Sequence, residues 1–245
     1  MKSQQNNWKL LYRIGGTAIL LAAIVFRRNW SAELSVSQGF GIFPIPDPLP
    51  STALEWFTLL HEHPFVGLSL LELFDLINFA LVGLFFLALY AALHKMDRSS
   101  TLLAAASGLI GVAVYLGANK ALEMLSLGKQ YFAALEDAQR SVLLFAGDAI
   151  LTTTYPDPLY QPIGLHIGLF LVLLAGLIFS VVMLRSRLFG KAAAICGILA
   201  NGTALSGFIA LAFAPVIYLI FPTVSAPFRM IWYILTAIKL LKLKE

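Results

Sequence analysis

The sequence predicts an all-α fold: a polytopic membrane helical bundle of about six transmembrane helices, with two amphipathic helices in the longer connections. Three observations carry that reading. Apolar residues make up 59% of the 245-residue chain and charged residues only 12%, against roughly 25% charged in a soluble domain, so most side chains have no water to face. Six apolar runs approach or exceed the roughly 18 residues that a bilayer crossing needs. Basic residues also gather in alternate connections, and acidic residues in the others. No polar linker divides the chain, so residues 1–245 read as a single membrane domain.

The first run, 10–26, contains Arg13, whose long stem can carry its guanidinium to the headgroups. Lys2, Lys9 and Arg13 resemble the basic start of a secretory signal. No small-x-small cleavage site closes the run, however, and Arg27 and Arg28 follow directly, which marks an uncleaved span. In the connection 27–65, the stretch Phe43-Pro-Ile-Pro-Asp-Pro-Leu-Pro50 predicts a stiff extended piece, because proline blocks helix and sheet alike. Thr52-Ala-Leu-Glu55 then has capping-box spacing ahead of Trp56, Phe57, Leu59 and Leu60. That predicts a short helix at the membrane interface, with Trp56 at headgroup depth.

The second span is predicted at 66–93 and the third at 101–121. In the connection 122–162, Tyr131, Phe132, Leu135, Ala138 and Val142 recur at helical spacing with charged residues between them. They predict one amphipathic helix folded over the mouth of the bundle and ended by Thr152-Thr-Thr-Tyr-Pro-Asp-Pro158. The fourth span is predicted at 163–184, the fifth at 192–213 and the sixth at 226–243. The sixth adjoins Pro222 and Pro227 and is interrupted by Arg229 and Lys239, so five spans with a re-entrant tail form the alternative. The fifth is unusually short of side-chain bulk, with Ala192–Ala194, Cys196, Gly197, Ala200, Gly202, Ala204, Ser206 and Gly207. Such residues let neighbouring helices approach closely in lipid.

Charge sets the expected orientation. With six spans both termini share a side, and that side holds Lys2, Lys9, Arg13, Lys95, Arg98, Arg185, Arg187, Lys191, Lys239, Lys242 and Lys244 among the 17 basic residues. Only Asp97 and Glu245 of the 13 acidic residues join them. Basic short loops stay cytoplasmic, so both termini are expected in the cytoplasm, in the cytoplasmic (inner) membrane of a prokaryote. The connections 27–65 and 122–162 then face outward. The basic residues form no stripe, which excludes a nucleic-acid partner. The lone Cys196 excludes an intrachain disulfide.

The polar residues within the spans fall mostly in the outer half. Glu72, Asp75 and Asn78 are spaced three apart at the start of the second span. Asn119, Lys120 and Glu123 end the third, His166 opens the fourth between Gly164 and Gly168, Asn201 lies near the middle of the fifth, and Arg229 starts the sixth. Intramembrane ionisable groups are costly without partners, so Glu72, Asp75, Asn78, Lys120, His166, Asn201 and Arg229 are candidate ligand-binding residues of a polar chamber. Each also has a plainer reading: wet residues at a helix start for Glu72 and Asp75, snorkelling for Lys120, a core or interfacial histidine for His166, interhelical glue for Asn201. His61-Glu-His63 offers two weak zinc-ligand candidates, but lacks the spacing that sets two histidines on one helical face. No cofactor is implied, and no nucleophile elbow, phosphate loop or dinucleotide fingerprint is present.

Ala134-Leu-Glu-Asp-Ala-Gln-Arg140 with Leu143-Leu-Phe-Ala-Gly147, then Val181-Val-Met-Leu-Arg-Ser186 with Phe189, Gly197-Ile-Leu-Ala200 and Ile231-Trp-Tyr-Ile234, resembles a large uncharacterised family of bacterial six-span proteins known only as a domain of unknown function. The resemblance runs from about Trp8 to Leu243, with the long proline-rich first connection as a departure. It implies the six-span topology and a prokaryotic membrane, and transfers no catalytic residue. Three functions stay open. The first is a non-catalytic accessory subunit of partner membrane proteins, or a binder of lipid or a small amphiphile. The second is a membrane-embedded hydrolase using His166 with Glu72 or Asp75, and the third is a small transporter. Weak catalytic signals favour the first, and the lack of an internal repeat counts against the third.

Overall fold

A computed structural model describes residues 2–34, 46, 48–154, 163–186, 188–218 and 220–243. The described residues fold into helices α1 (Lys2–Leu34), α2 (Ala53–Glu62), α3 (Pro64–Leu70), α4 (Leu73–Leu93), α5 (Arg98–Ala118), α6 (Ala121–Ala133), α7 (Asp137–Thr154), α8 (Ile163–Arg185), α9 (Lys191–Phe213), α10 (Pro215–Tyr218) and α11 (Ile220–Lys242), with no strand among them. Six segments are long and apolar enough to cross a bilayer: α1, α4, α5, α8, α9 and α11, the fifth-helix segment running on into α6. The protein is therefore a multi-pass membrane protein. The sixth run is a helix of 23 residues that keeps Pro227 inside it, and the five-span alternative falls away.

The six spans form a closed ring in chain order, α1 beside α4, α4 beside α5, α5 beside α8, α8 beside α9, α9 beside α11, and α11 back against α1. Chain neighbours pack as space neighbours, across a short turn for α4–α5 and α8–α9 and across the two long, helix-bearing connections for α1–α4 and α5–α8. Aromatic side chains fill the middle of the ring. Phe85 meets Trp232 edge-on at 5.4 Å and Tyr233 at 6.1 Å, while Phe86 lies 5.5 Å from Phe179. Phe85, Phe86, Phe179 and Trp232 are all essentially buried. The tightest joint is α5 on α8, where Gly164 and Gly168 form a small-xxx-small face. A Cβ on Gly168 would sit 2.7 Å from the Tyr115 nitrogen and 2.8 Å from the Gly111 carbonyl oxygen. Only hydrogen at this position permits backbone-to-backbone contact, the geometry that stands in for hydrophobic drive in lipid.

A second, smaller core lies at the end of the bundle opposite the termini. Ala53, Trp56, Phe57, Leu60, Leu71, Ala121, Met124 and Leu151 enclose it, and α2 lies across an α6–α7 hairpin to build it. Phe57 is its wedge: a Cβ on Gly128 of α6 would lie 3.3 Å from the ring, and one on Gly147 of α7 only 2.7 Å. The start of α2 is fixed as its sequence predicts. Glu55 donates its backbone N–H to Thr52 Oγ1 at 3.3 Å, and Glu55 Oε2 accepts from the Ser51 and Thr52 nitrogens at 2.6 and 3.2 Å.

Four expectations need correction. The run 66–93 is not one helix. It divides into α3 and α4 at Glu72, which adopts φ 68° in the left-handed region; the undivided run would be about 42 Å long, well beyond a hydrocarbon core of about 30 Å. Helix α1 continues to Leu34, past the predicted end at 26. Trp56 is not displayed at an interface: it is wholly buried in the second core. The single amphipathic helix predicted around Tyr131–Val142 is two helices broken at residues 134–136, so the connections hold more helices than the two expected. The break folds α7 back, and Arg140 Nε closes it by donating to the Ala134 carbonyl at 3.2 Å. The proline-rich expectation for 43–50 and the predicted end of the helix at 155–158 fall largely or wholly outside the described residues.

Candidate functional site

The candidate residues sort by depth. Phe85 on α4 touches Trp232 and Tyr233 on α11, so these faces meet at the aromatic layer. Seven residues toward the cap from Phe85, about 10 Å along the axis, stands Asn78. Arg229 stands four residues beyond Tyr233, about 6 Å. Both therefore sit on the cap side of that aromatic floor, on helix faces that converge just below them. Asn78 is 6% exposed, and its Oδ1 has no hydrogen-bond partner among the described residues. A buried amide acceptor left unmet costs about 1–3 kcal/mol, which marks the position as one needing a donor from elsewhere. Asp75 and Arg229 are half-buried.

At the cap end of the spans, two helix breaks touch. Asn119 ends α5, and its Oδ1 accepts the Ala121 N–H at 3.0 Å to start α6. Its Nδ2 donates to Glu72 Oε2 at 3.5 Å, a long hydrogen bond. Next to it, Lys120 pairs with Glu123 at 2.7 and 2.8 Å through both carboxylate oxygens, a local i,i+3 pair at the half-exposed rim. Glu72, Asn119, Lys120 and Glu123 thus gather as a polar collar between bundle and cap.

His166 and Asn201 stand apart from that collar. His166 sits edge-on to Phe208 at 6.2 Å in the α8–α9 joint, its Nε2 buried and without a partner among the described residues. Asn201 lies deeper in the same joint. It is 3% exposed, donates from Nδ2 to the Gly197 carbonyl at 2.8 Å, and packs so closely on Gly176 that a Cβ there would lie 2.5 Å from its Oδ1. His61 stacks on Phe132 at 4.3 Å, while His63 is exposed at the junction of α2 and α3. Among the described residues no three His, Cys, Asp or Glu side chains gather where they could hold a metal ion.

Sequence reasoning missed two features. Trp232 Nε1 and Thr236 Oγ1 are buried without partners among the described residues. An apolar groove of about 160 Å³ also opens on the cap, lined by Leu60, His61, Pro64, Leu125, Gly128 and Lys129. Its two walls come from stretches more than sixty residues apart, so no local spacing announces it.

The geometry of the breaks and the six spans belongs to a chain whose residues 33–242 match DUF4386, a domain of unknown function. The chain belongs to the DUF4386 family. Neither a curated protein nor a solved structure matches it. Membership assigns no chemistry to the collar, the groove or the α8–α9 joint.

Proposed function

We propose that this DUF4386 protein is a non-catalytic binder of a lipid or small amphiphile, received from the cap side of the bundle. Asn78 carries the reading. It presents a buried acceptor without a described partner, on the cap side of a floor closed by Phe85, Phe86, Phe179 and Trp232. An amphiphile's polar group supplies the missing donor, and its apolar part rests on aromatic surface. The filled ring centre speaks against a through-passage. The hydrolase alternative needs His166 held to a carboxylate, whereas its described neighbour is the Phe208 ring. The expected orientation puts the termini in the cytoplasm and the cap outside, in a prokaryotic inner membrane.

The test is native mass spectrometry of the full chain released from mild detergent. A bound amphiphile near one per chain is expected, strongly depleted in Asn78→Leu while the melting temperature holds. Wild-type protein that carries no such species, and takes none up from added lipid, defeats the reading.

One observation favours an accessory-subunit role as a second reading. Helix α7 leaves Val142 and Phe145, three residues apart, at 68% and 78% exposure, and the turn before it leaves Leu135 at 95%, apolar surface of the kind that partner subunits cover. Crosslinking from Val142→Cys in native membranes would capture such a subunit, and its failure to capture any protein removes the role.

A further inference from the structure

The groove on the cap has a mixed lining that the amphiphile reading does not use. Along α6 it is lined by Leu125, Gly128 and Lys129. The opposite wall is Pro64 at the start of α3 with His61 and Leu60 behind it at the end of α2. Apolar groups of three helices thus adjoin one cation and one imidazole. Stacking on Phe132 at 4.3 Å holds the His61 ring in place. The described ion pairs of the cap are Lys120–Glu123 and Arg140–Asp137, and Lys129 belongs to neither.

We infer that the groove seats an acidic phospholipid of the cap-side leaflet, its phosphate on Lys129 and His61 and the first part of its chains along Leu60, Pro64 and Leu125. Charge complementarity selects an anion, since an exposed lysine at a membrane surface attracts acidic headgroups. Continuity selects a bilayer lipid over a free amphiphile. Leu122, one turn before Leu125 on α6, and Phe65, beside Pro64 on α3, are 58% and 53% exposed, and they extend the apolar wall toward the spans. A volume of about 160 Å³ is small beside the roughly 300–1,000 Å³ of a site that encloses a whole ligand, as suits a groove that grips a lipid by its neck and leaves its tails in the bilayer. Asn78 does not line this groove, so the inference goes beyond the amphiphile reading and adds a second site with its own ligand class.

The experiment reconstitutes the full chain in nanodiscs of neutral phosphatidylcholine doped with phosphatidylglycerol, and counts retained phosphatidylglycerol by native mass spectrometry. Lys129→Glu should lower retention about tenfold, the scale of reversing one surface charge, and Lys129→Arg should restore it. Gln139→Glu, which adds a negative charge on the exposed face of α7, should leave retention within about twofold. Equal losses in Lys129→Glu and Gln139→Glu would mean diffuse surface attraction and overturn the site. Lauric acid, a single-chain anion added in competition, should not displace the phospholipid; displacement at equimolar amounts overturns the choice of a bilayer lipid. Asn78→Leu separates the two proposals. Loss of every amphiphile in Asn78→Leu with none in Lys129→Glu defeats the groove and spares the wider reading, and no retention in wild type defeats both.

Discussion

Asp148 Oδ1 accepts the backbone N–H of Ala53 at 2.9 Å, joining residues 95 apart in the chain. A side chain of α7 thus satisfies one of the amide groups that α2 leaves open at its start, beside the capping box that Thr52 and Glu55 supply. The long-range bond ties the two outer connections into one unit. Replacing Asp148 by Ala removes it and should destabilise the cap by about 1 kcal/mol, the usual cost of a lost cap. Amide exchange should quicken in α2 and stay unchanged in α4 and α8. Equal acceleration throughout would show that cap and bundle unfold together.

Glu55 adds a pH dependence to the same helix end. Its carboxylate accepts from the Ser51 backbone first, then from the Ser51 hydroxyl and the Thr52 nitrogen, which holds its pKa below the ordinary glutamate range. The folded form therefore prefers the charged carboxylate. Its contribution is complete above the unfolded glutamate pKa and fades as pH falls through the lowered folded value. Fraying at the start of α2 should set in only in the acid range below ordinary glutamate titration. Glu55→Gln should fray at neutral pH and lose the acid step, which exchange at Thr52 and Glu55 would report.

Gly168 marks where the bundle tolerates no side chain. Gly168→Leu forces α8 away from Tyr115 and Gly111, against a backbone that cannot yield, and should cost at least the 1–3 kcal/mol typical of overpacking. Gly202 is the control, since a Cβ there meets nothing within 4 Å. Gly202→Ala should hold or raise the melting temperature in detergent, because alanine favours helix over glycine by about 1 kcal/mol. If both variants melt alike, close α5–α8 contact is not what stabilises the ring.

The spans were legible because lipid demands hydropathy of every exposed face, and that demand is written residue by residue. The start of α2 was legible because a capping box is local. The break at Glu72 was not. A left-handed residue is usually glycine, and Leu71-Glu72 carries no such mark. The hairpin at 134–136 was hidden for a similar reason, since Ala, Leu and Glu favour helix and only burial of Phe57 between Gly128 and Gly147 rewards the fold-back. Of the site, the individual polar residues could be found by their cost in lipid. Their grouping could not: Glu72 meets Asn119 while His166 meets Phe208, and nothing in the spacing distinguishes those fates. The groove lay further out of reach, since His61 and Lys129 become neighbours only once α2 lies on α6.

Orientation decides which leaflet meets the cap, and two positions can report it. Leu135 is 95% exposed at the tip of the α6–α7 hairpin, and Arg98 is exposed at the start of α5 on the end carrying the termini. With Cys196 replaced by Ala, Leu135→Cys should react with a membrane-impermeant maleimide in intact cells, and Arg98→Cys only after permeabilisation. The sorting of lysine and arginine drives this expectation, because translocating short basic loops is disfavoured. Reversed labelling would turn the cap to the cytoplasm. Lys129 would then face the leaflet whose surface is richest in acidic lipid, so the groove's phospholipid would come from the inner leaflet while its chemistry stayed the same.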